Sequence, residues 1–192
     1  VIARTHEPGK KGDSVANQVN VREALKGNAT AGIEPGTVVK LSARAGAPIR
    51  NAAGQIVGVM TPGVTLTKNE VVDQAKNIYK VDATIFFGDV RESTTISREG
   101  KRQTGTKPDP TIAEIVLKQG KRYNGSANIL GVRYLTSYEP IVGADGKNIG
   151  ILFAGKSLTE AYAIRDKMTW TVTGISCSVL FIAFFLTLLL TR

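Results

Sequence analysis

From Met168 to Thr191 the chain runs for 24 residues without a charged side chain, and no other feature constrains its fold as much. At about 1.5 Å of rise per residue, a helix of that length crosses the roughly 30 Å hydrocarbon core of a bilayer. The apolar side chains run right around such a helix, which leaves no polar face for water and argues against a buried core helix. Trp170 stands where an interfacial aromatic anchor belongs, and Arg165, Lys167 and Arg192 frame the stretch. Its place at the C-terminal end excludes a signal peptide. The reading is a membrane-anchored protein in which residues 158–191 form a signalling helix continuing into one transmembrane helix. The chain opens on Val1 and stops just past the apolar run, so it reads as an internal piece of something longer.

The net charge of +9 raises nucleic-acid binding, but no basic run exceeds two residues, and a domain tethered beside a bilayer is poorly placed for a duplex. No nucleic-acid partner is expected. The charge reads as solvated surface or as a bias toward small anionic ligands. The single cysteine, Cys177, lies in the apolar run, so there is no disulfide framework. His6 is the only histidine, which excludes a histidine-rich metal site. No nucleophile elbow, phosphate loop or cysteine pair is present, so neither a cofactor nor enzymatic activity is expected.

An internal repeat organises the remainder. "PIRNAAGQIVGVMTPGVTLT" (Pro48 to Thr67) and "PIVGADGKNIGILFAGKSLT" (Pro140 to Thr159) align without a gap and share eight of twenty residues, three of them glycines. In each, a strand, a glycine-containing turn and a returning strand make a hairpin. Ahead of the first copy, Val15 to Leu25 has helical spacing and Gly36 to Ile49 reads as a strand. Asn69 is the expected cap of a helix over Glu70 to Val81. "DATIFF" and "ESTTIS" form a hairpin around Gly88-Asp89. Asp109-Pro110 opens a helix that Gly120 stops. "SANILGVRYLTSYEPI" then pairs with "KNIGILFAG". Hairpins with an inserted helix give an α+β domain. Ser157 to Glu160 forms a capping box at the start of the last helix.

The stretches "DATIFFGDVRESTTI", "GKRQTGT", "YNGSANILGVRYLTSYEPI" and "DGKNIGILFAG" together resemble an extracytoplasmic Cache sensor region of methyl-accepting chemotaxis proteins and membrane histidine kinases. The front part, "ARTHEPGKKGDSVANQ" with "LSARAGAPIRNAAGQIVGVMTPG", is similar to the combined Cache 3/Cache 2 type. The resemblance implies a PAS-like antiparallel sheet with flanking helices, in tandem modules: residues 1–67 the end of an incomplete membrane-distal module, residues 68–157 a membrane-proximal one. It places residues 1–167 outside the inner membrane, in the periplasm, against a count of basic residues that by itself favours the cytoplasm. It further implies a homodimer and a downstream cytoplasmic signalling region, most often for chemotaxis. The tyrosine, arginine and aspartate signature of the amino-acid-sensing group is not evident. A sensor that recognises a periplasmic binding protein, or the sensor of a histidine kinase, is the alternative.

Strand alternation puts Tyr134, Thr136 and Tyr138 on one face, and Thr84 and Phe86 on one face with Thr94 beside them. Aromatics with a few hydroxyls are the usual lining of a small-molecule pocket. Arg102 is the candidate for gripping a carboxylate by two prongs, and Tyr123 is a candidate for the rim. The expected ligand is a small molecule, an organic anion.

Overall fold

The computed structural model describes residues 1–190 except His6, Thr37 and Val38; within the last helix the side chains of residues 160, 161, 163, 164, 166, 167, 184, 185 and 188–190 also lie outside the description. The His6 expectation and part of the Gly36 strand therefore fall outside it. The expected α+β class is what the chain adopts, with antiparallel sheets and helices between the hairpins.

The first half opens on α1 (Val19–Leu25), which starts four residues later than its spacing suggests because Gln18 is still extended. Strand β1 (Thr30–Glu34), not foreseen from the sequence, pairs antiparallel with β2 (Ser42–Arg50). On the other edge of β2 run β3 (Ile56–Met60) and β4 (Gly63–Thr65), in one line broken at Thr61-Pro62. Proline has no N–H to give the ladder, which accounts for the break.

Helix α2 (Asn69–Tyr79) follows and ends at Lys80 in the left-handed conformation. Asn69 is its first residue rather than its cap: its Oδ1 accepts a hydrogen bond from the Thr94 amide, so the side chain joins the helix to the next sheet. That sheet has five strands in the order β6-β5-β11-β10-β9: β5 (Asp82–Phe87), β6 (Val90–Thr94), β9 (Tyr123–Ile129), β10 (Val132–Val142) and β11 (Asn148–Ser157). The short ribbon β7 (Ser97–Arg98) and β8 (Lys101–Arg102) lies between β6 and α3 in the chain. Helix α3 (Pro110–Ala113) passes into a π-helical turn, Glu114–Lys118. Asp109 caps α3 as expected, its Oδ1 accepting from the Thr111 amide at 2.8 Å.

One correction concerns Ser126 to Ile141, read above as a single strand. Leu130 and Gly131 both have positive φ, 55° and 89°, and form a two-residue turn that divides it into β9 and β10.

The aligned hairpins make the same turn. Asn51 N donates to Gln55 O and Gly54 N to Asn51 O; 92 residues on, Gly143 N donates to Lys147 O and Gly146 N to Gly143 O. Gly54 and Gly146 sit at φ 79° and 81°, a conformation open to glycine because it has no Cβ.

The chain divides into two compact units, Val1–Gly125 with Thr136–Gly155, and Ser126–Leu135 with Lys156–Arg192. The first is held by a cluster of Leu41, Val72, Ala83, Ile85 and Ile141, with Ile33, Leu66, Val71 and Ala75 against it. Leu41, Val72, Ile85 and Ile141, the large buried side chains among them, each stabilise the fold by about 1.5–3 kcal/mol through apolar burial. The second contains the β9–β10 turn and α4 (Leu158–Leu190), 33 residues of helix that continue β11 with no intervening loop. Among the described residues, no helix is long and apolar enough to cross a membrane; the expected span from Met168 to Thr191 falls partly on side chains outside the description.

Candidate functional site

The register of the five-stranded sheet brings the candidate residues together. Phe153 on β11 pairs with Thr84 and Ile151 with Phe86. Across the other edge of β5, Thr84 pairs with Thr94 and Phe86 with Arg91, the ladder slipping by one residue between Ile85 and Phe86. Directly opposed residues share a face, so one row reads Phe153, Thr84, Thr94 and the next Ile151, Phe86, Arg91. Thr84 Oγ1 and Thr94 Oγ1 are 2.6 Å apart, a hydrogen bond between two fully buried hydroxyls. The Tyr138 ring stands 4.9 Å from that of Phe153, and Tyr123 meets Tyr138 edge-on at 6.1 Å. Thr136 Oγ1 donates to the Gly125 carbonyl at 3.0 Å, fixing β10 against β9.

Of the eight expected residues, Thr84, Phe86, Thr94, Tyr123, Thr136 and Tyr138 thus lie in the first unit on linked strands. Tyr134 is buried and falls in the second unit. Arg102 is turned elsewhere. Its Nη1 lies 2.8 Å from Asp73 Oδ1 and donates to the Thr94 carbonyl at 2.6 Å, while Nη2 donates to Asp73 Oδ2 at 2.9 Å. The fork expected to grip a ligand carboxylate grips Asp73 of α2 instead.

The cation that faces the aromatic cluster is Arg91, which the sequence reading passed over. It is almost fully buried, its guanidinium 5.2 Å from the centre of the Phe86 ring. Nη1 donates to Thr106 Oγ1 at 2.6 Å, and the backbone of Arg91 exchanges hydrogen bonds with Thr106 and Gly105, so the loop after β8 closes over it. Counting outward from the Gly88-Asp89 turn pairs 87 with 90 and 86 with 91, and that count was the signal available. Burial holds the Tyr138 phenol above its ordinary range, up to about 12, with Arg91 pulling the other way. The site is therefore a buried aromatic patch that brings together the Arg91 guanidinium, the protonated Tyr138 phenol and the Thr84–Thr94 pair of hydroxyls. Among the described residues no cluster of histidine, cysteine or carboxylate side chains suits a metal ion.

Two solved structures are similar at a distance. The ligand-binding domain of the Campylobacter jejuni chemoreceptor Tlp3, in complex with 4-methylisoleucine, is 13% identical with a TM-score of 0.39, over 75% of this chain and 54% of that one. The ligand-binding domain of the Pseudomonas aeruginosa amino acid chemoreceptor PctC, in complex with GABA, is 14% identical with a TM-score of 0.38, over 79% of this chain and 66% of that one. The chain thus spans little more than half of the first of these and under two thirds of the second. No curated protein matches it. The family model described as single Cache domain 3 matches residues 64–168, more than half of the chain and the whole of the five-stranded sheet. By that match the chain belongs to the single Cache domain 3 family.

Proposed function

We propose that the chain is the ligand-sensing part of a membrane receptor, with residues 1–167 outside the inner membrane and α4 entering it from Met168 onward. The observation that carries this is mechanical. Strand β11 supplies Ile151 and Phe153 to the aromatic patch and then becomes α4 at Leu158 without a loop. A ligand that prefers one arrangement of β11 biases the helix attached to it. The crossing is supported by the charge-free run from Met168 to Thr191 and by the exposure of Trp170, Val172, Ile175, Val179, Phe181 and Ile182, which succeed one another around the helix rather than along one side.

The expected ligand is a small organic anion. It is held between Arg91, Tyr138 and the Thr84–Thr94 pair, with Tyr123 and Thr136 beside them. The homodimer and a downstream cytoplasmic signalling region, for chemotaxis or a kinase, belong to the same reading. So do the module boundaries at 67/68 and 157/158.

The test is thermal melting of the whole chain in detergent against organic acids, amino acids and amines. One class of acid should raise the melting temperature by several degrees, and Tyr138→Phe and Arg91→Lys should abolish the rise while melting normally without ligand. A response to amines alone would refute the anion. Uniform silence from a well-folded sample would transfer the role to recognition of a periplasmic binding protein.

A further inference from the structure

The aromatic patch is closed to solvent. Thr84, Phe86 and Thr94 are 0% exposed, Tyr138 2% and Arg91 3%, so nothing reaches the Arg91 guanidinium unless a wall moves. The opposite face of β5 offers no way in, because Ala83 and Ile85 are packed there into the cluster with Leu41 and Val72. The edge of the sheet does. Strand β6 is outermost on that side, and residues 103–107 lie along it as a strap: Arg91 N donates to the Thr106 carbonyl at 2.9 Å and Gly105 N to the Arg91 carbonyl at 2.8 Å.

Polar contacts alone hold this strap. None of Gln103, Thr104, Gly105, Thr106 and Lys107 is a hydrophobic residue, and the Lys107–Asp89 ion pair at 2.9 Å is exposed, where such pairs hold little. The base is firm. Gln103 N donates to the Ile96 carbonyl, and Arg102 beside it is tied to Asp73 and to the Thr94 carbonyl. One hydroxyl fixes the middle: Thr106 Oγ1 accepts from Arg91 Nη1 at 2.6 Å and donates to the Gln103 carbonyl at 2.9 Å. It closes the strap on itself and on the arginine at once. Beyond Lys107 the chain reaches Asp109, whose charge adds to the burial that lifts the Tyr138 phenol, so the segment runs from the cationic end of the patch to the phenolic one.

We infer that residues 103–107 are the gate of the patch and that Thr106 is its latch, the hydroxyl that holds Arg91 until the carboxylate of an incoming ligand takes its place. A segment with no buried hydrocarbon opens at far lower cost than the packed strands around it. Exchange at Arg91 then favours an acid, because a carboxylate is a stronger acceptor for a guanidinium than a hydroxyl is. Thr106 thereby sets selectivity as well as access: a neutral ligand offers the guanidinium nothing better than the hydroxyl it must displace. In this the inference rests on reading the patch as the ligand site.

The test uses the whole chain in detergent, without ligand, with Cys177→Ser and one new cysteine whose reaction with N-ethylmaleimide is timed. Thr84→Cys puts the thiol in the patch, and Val72→Cys puts it in the core cluster behind β5; both positions are buried. Thr106→Val keeps the shape of the side chain and removes the hydroxyl. It should speed labelling at position 84 roughly tenfold, the effect of losing one hydrogen bond to a charged group, and leave position 72 unchanged. Thr106→Ser should return position 84 to its original rate. Equal acceleration at both positions would mean a general loosening, and none at position 84 would mean that the hydroxyl latches nothing; either overturns the inference. Should Thr84→Cys fail to fold, amide exchange decides the matter in the chain without new cysteines: Thr106→Val should speed exchange at Gly105 and Arg91 and not along β5, and unchanged exchange at both would overturn the inference equally. The labelling needs no ligand, so its failure is distinct from that of the anion reading, which the melting screen decides.

Discussion

Tyr138 is fully enclosed, and burial raises its phenol to about 12 while the unfolded chain keeps the ordinary value near 10. A raised folded value means that the native state holds the proton more tightly. The associated stability is fully present below about pH 10 and is lost as the pH rises toward 12. Melting temperature should therefore fall over that window, and Tyr138→Phe should flatten the decline; a wild-type profile as flat as that of the variant would show the phenol to be less buried than the structure has it. Leu130 poses the opposite problem, an exposed β-hairpin turn residue in a left-handed conformation that favours asparagine or glycine. Leu130→Asn should stabilise the chain by about 0.5–1 kcal/mol, seen as a melting temperature a few degrees higher. An unchanged or lower value would mean that the leucine side chain makes contacts worth more than the strain.

Among the elements, the β5–β11 pair leaves no room for a side chain at Gly150. A Cβ on Gly150 would lie within repulsive distance of the Phe86 carbonyl across the ladder, so Gly150→Ala must part the two central strands. A cost of about 2–3 kcal/mol is expected, measurable by urea unfolding, whereas Gly58→Ala, aligned with it in the repeat, meets only Ile49 at 3.7 Å and should cost under about 1 kcal/mol. The contrast shows how far the sequence can be read. The turns at Gly54, Gly88 and Gly146 were legible because glycine announces a positive φ, and the Asp109-Pro110 helix start because both residues favour it. The turn at Leu130 was not, since leucine carries no such signal, and β1 was hidden because its single core residue, Ile33, gives no alternation to read. Strand periodicity set Tyr134, Thr136 and Tyr138 on one face and Thr84 with Phe86 on one face, but the packing of Tyr138 on Phe153 depends on how the strands are ordered in the sheet. The choice of arginine was not legible either, since which guanidinium meets the cluster depends on a tertiary partner: Asp73 on α2 draws Arg102 away, and hairpin register brings Arg91 in.

Over the whole molecule, the consequence lies in the junction at Ser157-Leu158, where strand turns into helix with neither glycine nor proline between Lys156 and Thr173. A rod of 33 residues is roughly 50 Å long, enough to stand in the bilayer and still reach the last residues of β11. A charge at mid-bilayer costs about 2.5–3.5 kcal/mol, so Leu180→Arg should loosen the chain from vesicles in alkaline extraction while Leu25→Arg, on an exposed turn of α1, should not. Equal retention of both variants would mean that α4 is held by protein contacts rather than lipid. With the anchor established, a Gly-Gly insertion between Thr159 and Arg165 tests the lever itself. Two residues advance the helix by about 3 Å and turn it by about 200°, while glycine loosens it. Ligand affinity measured by melting should be unchanged, because the aromatic patch lies before the insertion, and ligand-induced change in spin-label distances between Cys177 positions of paired chains should vanish. A ligand response of unchanged size across the insertion would locate the signal's path outside the β11–α4 junction.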